Sequence, residues 1–385
     1  MSFFNDFASE MLYPIMPLYL QSIGFSVALI GVLEGLAEAI AGLSKGYFGY
    51  LSDIYQKRVP FVRAGYILTA ISKPLMAIFT NVWWVFAIRT TDRLGKGVRT
   101  GARDAILSDE TTLENKGKVF GFHRAFDTLG AAVGPFVALI FLFYFPVSLH
   151  GNNSYRWLFF IAFIPGLIAI ALTYKLRESK KILSNTDNLS KTKNVPFWKY
   201  FSYWNKSTAQ YKRLAIGLLF FTLFNSSDAF ILLQIKAQTN NDTLVIGAYI
   251  FYNLIFALMA FPLGSLADKI GLKTVLIIGL LLFAASYIGF GLSTTITHFV
   301  IMLFIYGLFS AATDGVQKAL LTNYASSAET ATAIGLYTSL GSICTMLASS
   351  IGGIIFLFNP AIMFIISAIA ALIAAMYLIF TLKKS

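Results

Sequence analysis

A single cysteine, Cys344, among 385 residues excludes a disulfide framework and any cysteine-rich metal centre. Histidine is nearly as scarce: His123, His150 and His298 stand far apart and have no metal-ligand spacing. Charge is the third shortage. Only 12% of residues are charged against 57% hydrophobic, and the mean hydropathy is +0.70, whereas ordinary soluble domains carry about 25% charged residues. A soluble body of this length needs a polar skin that this composition cannot supply, so water-soluble proteins are excluded. Acidic residues are fewer than basic ones, leaving a net charge of +12. A basic loop held beside an anionic inner leaflet accounts for that excess without a nucleic-acid partner. The N-terminus lacks the basic, apolar, small-residue order of a cleaved signal, and Asp6 and Glu10 interrupt its first apolar run. That run is expected to be retained.

What the sequence has in abundance is long apolar spans, at 3–21, 27–50, 61–80, 83–107, 118–143, 155–175, 213–235, 244–267, 273–293, 297–321, 330–357 and 360–381. Helix is the expected form, because an open strand leaves its backbone groups unsatisfied in lipid and barrel strands would alternate. The one long polar segment, Lys175 to Arg213, carries ten basic residues against Glu178 and Asp187. The positive-inside rule places it in the cytoplasm, together with Lys57, Arg58, Lys116, Lys118, Lys269, Lys273, Lys383 and Lys384. The opposite loops, near Gly24, Asn81, Asn153, Ser293 and Asn359, are nearly free of Lys and Arg. Both ends then lie inside. The expected division is an N-terminal six-helix bundle (1–175), a cytoplasmic basic linker (176–212) and a C-terminal six-helix bundle (213–385). Within the linker, the aromatic stretch Val195–Trp204 reads equally as an interfacial amphipathic segment or an ordinary connection.

The halves repeat. Gly49-Tyr-Leu-Ser-Asp53-Ile-Tyr-Gln-Lys57-Arg58 returns 215 residues later as Gly264-Ser-Leu-Ala-Asp268-Lys-Ile-Gly271-Leu-Lys273. At an offset of 214, the Gly101–Asp109 stretch aligns with Gly315–Asn323, and Gly121 with Gly335. This paired G-x-L-[SA]-D loop pattern, the six-plus-six spans and the central basic loop resemble the major facilitator superfamily over the whole chain. One departure is Gln56, which stands where the family usually has Gly. Asn5-Asp6 through Glu10 to Pro14, Gly31 through Glu34 to Glu38, Asp92 through Arg99, and Gly121 through Asp127 resemble a prokaryotic subgroup of mostly unassigned substrate. The resemblance implies two pseudo-symmetric six-helix bundles, an all-α membrane fold, and rocker-switch alternating access.

Four groups of residues are candidates for function. Asp53 and Asp268, with Arg58 and Lys273, are expected to gate, since a carboxylate at a helix end can pair with a neighbouring helix N-terminus; the alternative is positive-inside topology alone. In the fourth span Arg89, Arg93 and Lys96 recur at helical spacing. Arg93 lies roughly 15 Å below Trp83, near the bilayer centre. A charge there costs roughly 2.5–3.5 kcal/mol unless it meets a partner or a wet cavity. These three are the substrate candidates, contacting either an anionic cargo or buried acids; Arg99, Arg103 and Asp104, nearer the cytoplasm, are assigned to gating. The acids Asp6, Glu10, Glu34, Glu38 and Asp127 are the proton-coupling candidates, with static ion pairing as the alternative. His123, Arg124 and Asp127 are expected to share one face. In the second half Asp228, within Asn225-Ser-Ser-Asp228, is a further substrate candidate. The pairs Gly31/Gly35 and Gly42/Gly46 read as close helix packing, and Gly130-Ala-Ala-Val-Gly134-Pro135 resembles the core of an antiporter motif.

No enzyme signature competes: Gly95-Lys96-Gly97 lacks the spacing of a phosphate loop. No cofactor or metal is expected. The reading is a monomeric secondary active transporter in the bacterial inner membrane, with membrane lipids around it. It moves a small, anionic organic solute coupled to protons, and export is favoured. Proton-coupled uptake of a carboxylate metabolite or siderophore, a channel, and a non-transporting receptor are the alternatives.

Overall fold

Two proline- and asparagine-bearing breaks shape the helices. The first apolar span, expected to run continuously over 3–21, divides instead into α1 (Ser2–Leu12) and α2 (Met16–Ser22), because Pro14 has no amide hydrogen to continue the ladder. The seventh likewise divides into α8 (Ala209–Phe224) and α9 (Ala229–Thr239), with Asn225 leaving helical geometry at φ −87°, ψ 90°. Between them run α3 (Val27–Ile54), α4 (Val59–Ile78), α5 (Val82–Asp109), α6 (Lys116–Tyr144) and α7 (Asn153–Thr173). The chain continues through α10 (Asp242–Ile270), α11 (Leu272–Leu292), α12 (Ile296–Asn323), α13 (Thr330–Phe358) and α14 (Pro360–Thr381). Side-chain caps start several of them: Asn81 accepts from the Trp83 amide, Thr208 from Tyr211 and Asn359 from Ile362. Among the described residues, eight helices are long and apolar enough to cross a membrane on those grounds alone. The long helices α3 and α5 carry charges, and the two broken spans complete the twelve.

The computed structural model describes residues 1–25, 27–178, 196–226, 228–239 and 242–382. Linker residues Lys180, Lys181, Asp187, Lys191 and Lys193, Ser227, and the terminal Lys383 and Lys384 lie outside them. Contacts group the chain into two compact units. The first holds Met1–Glu110, Phe126–Ser202 and Ser327–Ser339; the second holds Thr111–Ala125, Tyr203–Ser326 and Leu340–Ser385. These units differ from a division by halves of the sequence, since the opening turns of α6 and α13 are exchanged.

In the first unit, α5 packs on α3 and α4, and α7 packs on α4 and α1. Gly130 and Gly134 let α6 approach α1: a Cβ at Gly134 would lie 2.6 Å from the Phe7 carbonyl oxygen. Gly46 is equally tight, against the Tyr200 ring and Ser339, but Gly35 has nothing within 4 Å and is not a packing glycine. The linker's aromatic stretch is therefore docked in part. Tyr200 is fully buried, and burial pushes its phenol above the usual value, while Trp198 is 59% exposed. In the second unit, α11 packs on α12 and α14 around stacked aromatics that include Phe283 and Tyr287.

The turn between α10 and α11 needs a left-handed residue, Gly271 at φ +98°; its repeat, Gln56, takes φ +49°. Gln56 tolerates this because its side-chain amide donates to the Asp53 carbonyl. Gly271→Ala has no such compensation and is expected to cost about 1–2 kcal/mol, read as a lower Tm of the detergent-solubilised protein.

Candidate functional site

The two repeated aspartates do the same local job. Asp53 accepts from the Thr332 amide at 2.6 Å and its hydroxyl at 2.7 Å, capping the first turn of α13. Asp268 accepts from the amides of Gly117 and Lys118, both at 2.7 Å, capping the first turn of α6. Each carboxylate satisfies donors that the helix cannot, and meets the positive end of its dipole. The surroundings differ. Arg58 is fully buried and joins Asp53 at 3.3 Å, Asp109, and the Ser327 carbonyl at 2.9 Å. Asn323 occupies the repeat position of Asp109, so Lys273 lacks an equivalent acid. It reaches instead the carbonyls of Ile379 and Leu382 at the end of α14.

The α5 stripe lies in the first unit and meets acids from α3. Arg89 holds Glu34 through two parallel bonds of 2.8 Å and adds Asp92 at 3.4 Å. Asp92 also accepts from Ser72 at 3.0 Å and pairs with Lys73 at 3.6 Å. Lys73 is buried and donates to Ser9 and the Thr69 carbonyl. Arg93 is held more loosely, 3.6 Å from Glu34 and 3.7 Å from Glu38. Its Nε is buried without a hydrogen bond. The Glu38 side chain is 52% exposed against 13% for Arg93, which marks the open end of the cluster. Lys96 acts on Glu38, and Glu10 on Arg93, through their fields.

Further along α5, Arg99 pairs with Asp6 at 3.6 Å, donates to Thr69 at 3.0 Å and lies over the Tyr66 ring. Arg103 forks onto Asp104 at 2.9 and 3.0 Å and reaches Asp127 at 3.7 Å. The structure thus joins two expected gating arginines to two expected proton acids. Arg124 pairs with Asp314 in the second unit and stands over the Phe256 ring. The opening turns of α6, Arg124 among them, belong to this unit, and the remainder of the helix belongs to the first.

Asp228 sits at the α8–α9 break in the second unit. It accepts from Tyr306 at 2.6 Å, while Tyr252 bonds Ser310 at 3.2 Å. Sequence reasoning gave no role to Lys73, Asp92, Asp109, Tyr252 or Tyr306. A signal existed for the tyrosines: at the 214-residue offset Tyr252, Tyr306 and Ser310 stand at the positions of Glu38, Asp92 and Lys96. The second unit has replaced acids and bases with hydroxyls.

The chain matches the Major Facilitator Superfamily over residues 1–240 and 214–385. It is 31% identical to an uncharacterized MFS-type transporter of Methanocaldococcus jannaschii, covering 98% of this chain and 92% of that one. It is 22% identical to a multi-drug resistance efflux pump PmrA homolog of Lactococcus lactis, covering 83% and 77%. Its fold is like that of the human organic anion transporter MFSD10, with a TM-score of 0.77 at 15% identity, covering 98% and 96%.

Proposed function

Because the chain belongs to the major facilitator superfamily and is therefore a multi-pass membrane transporter rather than an enzyme, we propose that it carries a small organic anion coupled to protons. The observation that supports this is Arg93: a cation near mid-span, loosely shared by two carboxylates, with an unused donor beside a half-exposed Glu38. Protonating Glu38 removes the acid that competes for Arg93 and Lys96. An incoming carboxylate or phosphate then meets a guanidinium fork suited to it. Proton and anion bind together, so they travel together. In an inner membrane with its proton gradient directed inward, this means uptake. Asp53 and Asp268 serve as cytoplasmic helix caps that break and re-form as the transporter alternates.

Export is the second reading, supported by the efflux pump named among the relatives. The Gly130–Pro135 motif lends it less, because close packing on α1 accounts for both glycines. Flux in proteoliposomes separates the two readings. An acidic outer face should accelerate inward movement of a carboxylate found by a thermal-shift screen, and should oppose it under an exchange mechanism. Arg93→Ala should weaken carboxylate binding by about 2 kcal/mol, roughly thirtyfold, and affinity should rise as pH falls. A preferred cargo without negative charge, or an unchanged affinity in Arg93→Ala, defeats the anion reading.

A further inference from the structure

Within the second unit, two cations from different helices converge on the end of α14. Arg213, near the start of α8, donates to the Thr381 carbonyl at 3.2 Å. Lys273, at the start of α11, donates to the Ile379 carbonyl at 2.9 Å and to that of Leu382. Packing brings them there. Both α8 and α11 lie on α14, and a Cβ at Gly217 would stand 2.6 Å from the Leu378 side chain. The C-terminal end of a helix carries roughly half a negative charge, so two full cations exceed what capping requires. Among the described residues neither has a carboxylate within ion-pair distance. Asp268, the acid nearest Lys273 in sequence, is committed to the first turn of α6. Lys212, beside Arg213, also meets a carbonyl, that of Asn205.

The same helix has an exposed apolar ridge. Ile366, Ile369, Ile373, Met376 and Phe380 recur three and four apart on one face. Phe380 is 86% exposed and stands in the chain between Ile379 and Thr381, whose carbonyls the two cations take. We infer that Arg213 and Lys273 hold the phosphate of an anionic phospholipid whose acyl chains cover this ridge. The positive-inside rule puts the end of α14 at the inner leaflet, where a basic site between spanning helices suits an anionic headgroup. Arg213 gives one donor to α14, which leaves the rest of its fork for phosphate oxygens. A free phosphate satisfies the cations and leaves the ridge bare, whereas a lipid satisfies both. A zwitterionic lipid brings its own cation, which the pair repels. The site uses none of the residues around Arg93, so either reading can fail while the other stands.

The test is lipid binding by the purified full chain in detergent, read by native mass spectrometry. The probes are phosphatidylglycerol, with a net negative headgroup, and zwitterionic phosphatidylcholine with the same acyl chains. The first should bind about tenfold or more tightly than the second. Each near-surface cation contributes about fivefold to the affinity for an anionic lipid, so Arg213→Gln with Lys273→Gln should weaken binding about tenfold or more. Arg213→Lys keeps the charge and should stay within about threefold of the parent. Lys175→Gln with Arg177→Gln removes equal charge from exposed positions in the first unit and should change binding by less than about twofold. The preference between the two lipids should persist in Arg93→Ala, which removes the proposed transport site from the measurement. Size-exclusion profile and Tm establish folding, and if the double variant does not fold, Arg213→Gln alone decides. Equal binding of the two lipids overturns the proposal, as does a preference lost in Arg93→Ala or undiminished in the folded Arg213→Gln variants. Displacement of the lipid by equimolar inorganic phosphate overturns it too. So does a dimer that excludes the lipid, which would give the ridge to a second copy of the chain.

Discussion

Arg58→Ala is expected to be among the most damaging single changes, lowering stability by about 3–5 kcal/mol, the range for removing one partner of a buried ion pair. The guanidinium is fully buried and serves Asp53, Asp109 and the Ser327 carbonyl together. Alanine removes from two buried carboxylates the guanidinium that joins them. Asp53 then caps α13 without its counter-charge, and Asp109 has lost the guanidinium. The repeat supplies an internal control. Among the described residues Lys273 binds carbonyls at the end of α14, so Lys273→Ala should cost about 1 kcal/mol or less. Thermal melting of the two purified variants checks the contrast. Equal losses would mean that the first-unit cluster contributes nothing beyond a cap.

Arg89→Ala should produce a smaller loss, about 1–3 kcal/mol, because it removes the two-bond fork from Glu34, which keeps the longer contact to Arg93, and weakens the hold on Asp92. Its neighbour one turn along should behave differently. Arg93 has one side open toward the exposed Glu38, and its pairs are long. Arg93→Ala should leave melting within about 1 kcal/mol of the parent while carrying the loss of anion affinity. Measuring melting and ligand affinity on the same two preparations tests the split between structure and recognition. A variant of Arg89 that melts normally would show that the bidentate pair is dispensable.

Much of this was legible because the physics is local or repetitive. Twelve spans follow from apolar run length, and the two aspartate caps follow from a carboxylate at a helix end repeated at one offset. The breaks were half legible: Pro14 and the Asn225–Asp228 cluster were visible, but each was read within a continuous span. The ion pairs were not legible individually. Helical spacing puts Arg89, Arg93 and Lys96 on one stripe, yet it cannot tell which of them a given acid will meet. Lys73 escaped notice because a lone lysine beside Pro74 in an apolar span has no pattern; its burial beside Ser72 and Asp92 depends on how α4 lies on α5. Gly35 and Gly46 look alike in sequence, and only the second has a neighbour to exclude.

The sequence by itself determined that this is a membrane chain of two repeated six-span halves, because hydrophobic length, charge placement and repetition are properties of the chain read in order. Only the tertiary structure decided that Arg124 pairs with Asp314, that Arg89 is locked while Arg93 is loosely held, and that Asp228 has a tyrosine but no ion pair among the described residues. The reason is geometric. A charge's partner is set within about 4 Å, and residues far apart in sequence come that close only when helix rotation and packing place them on facing surfaces.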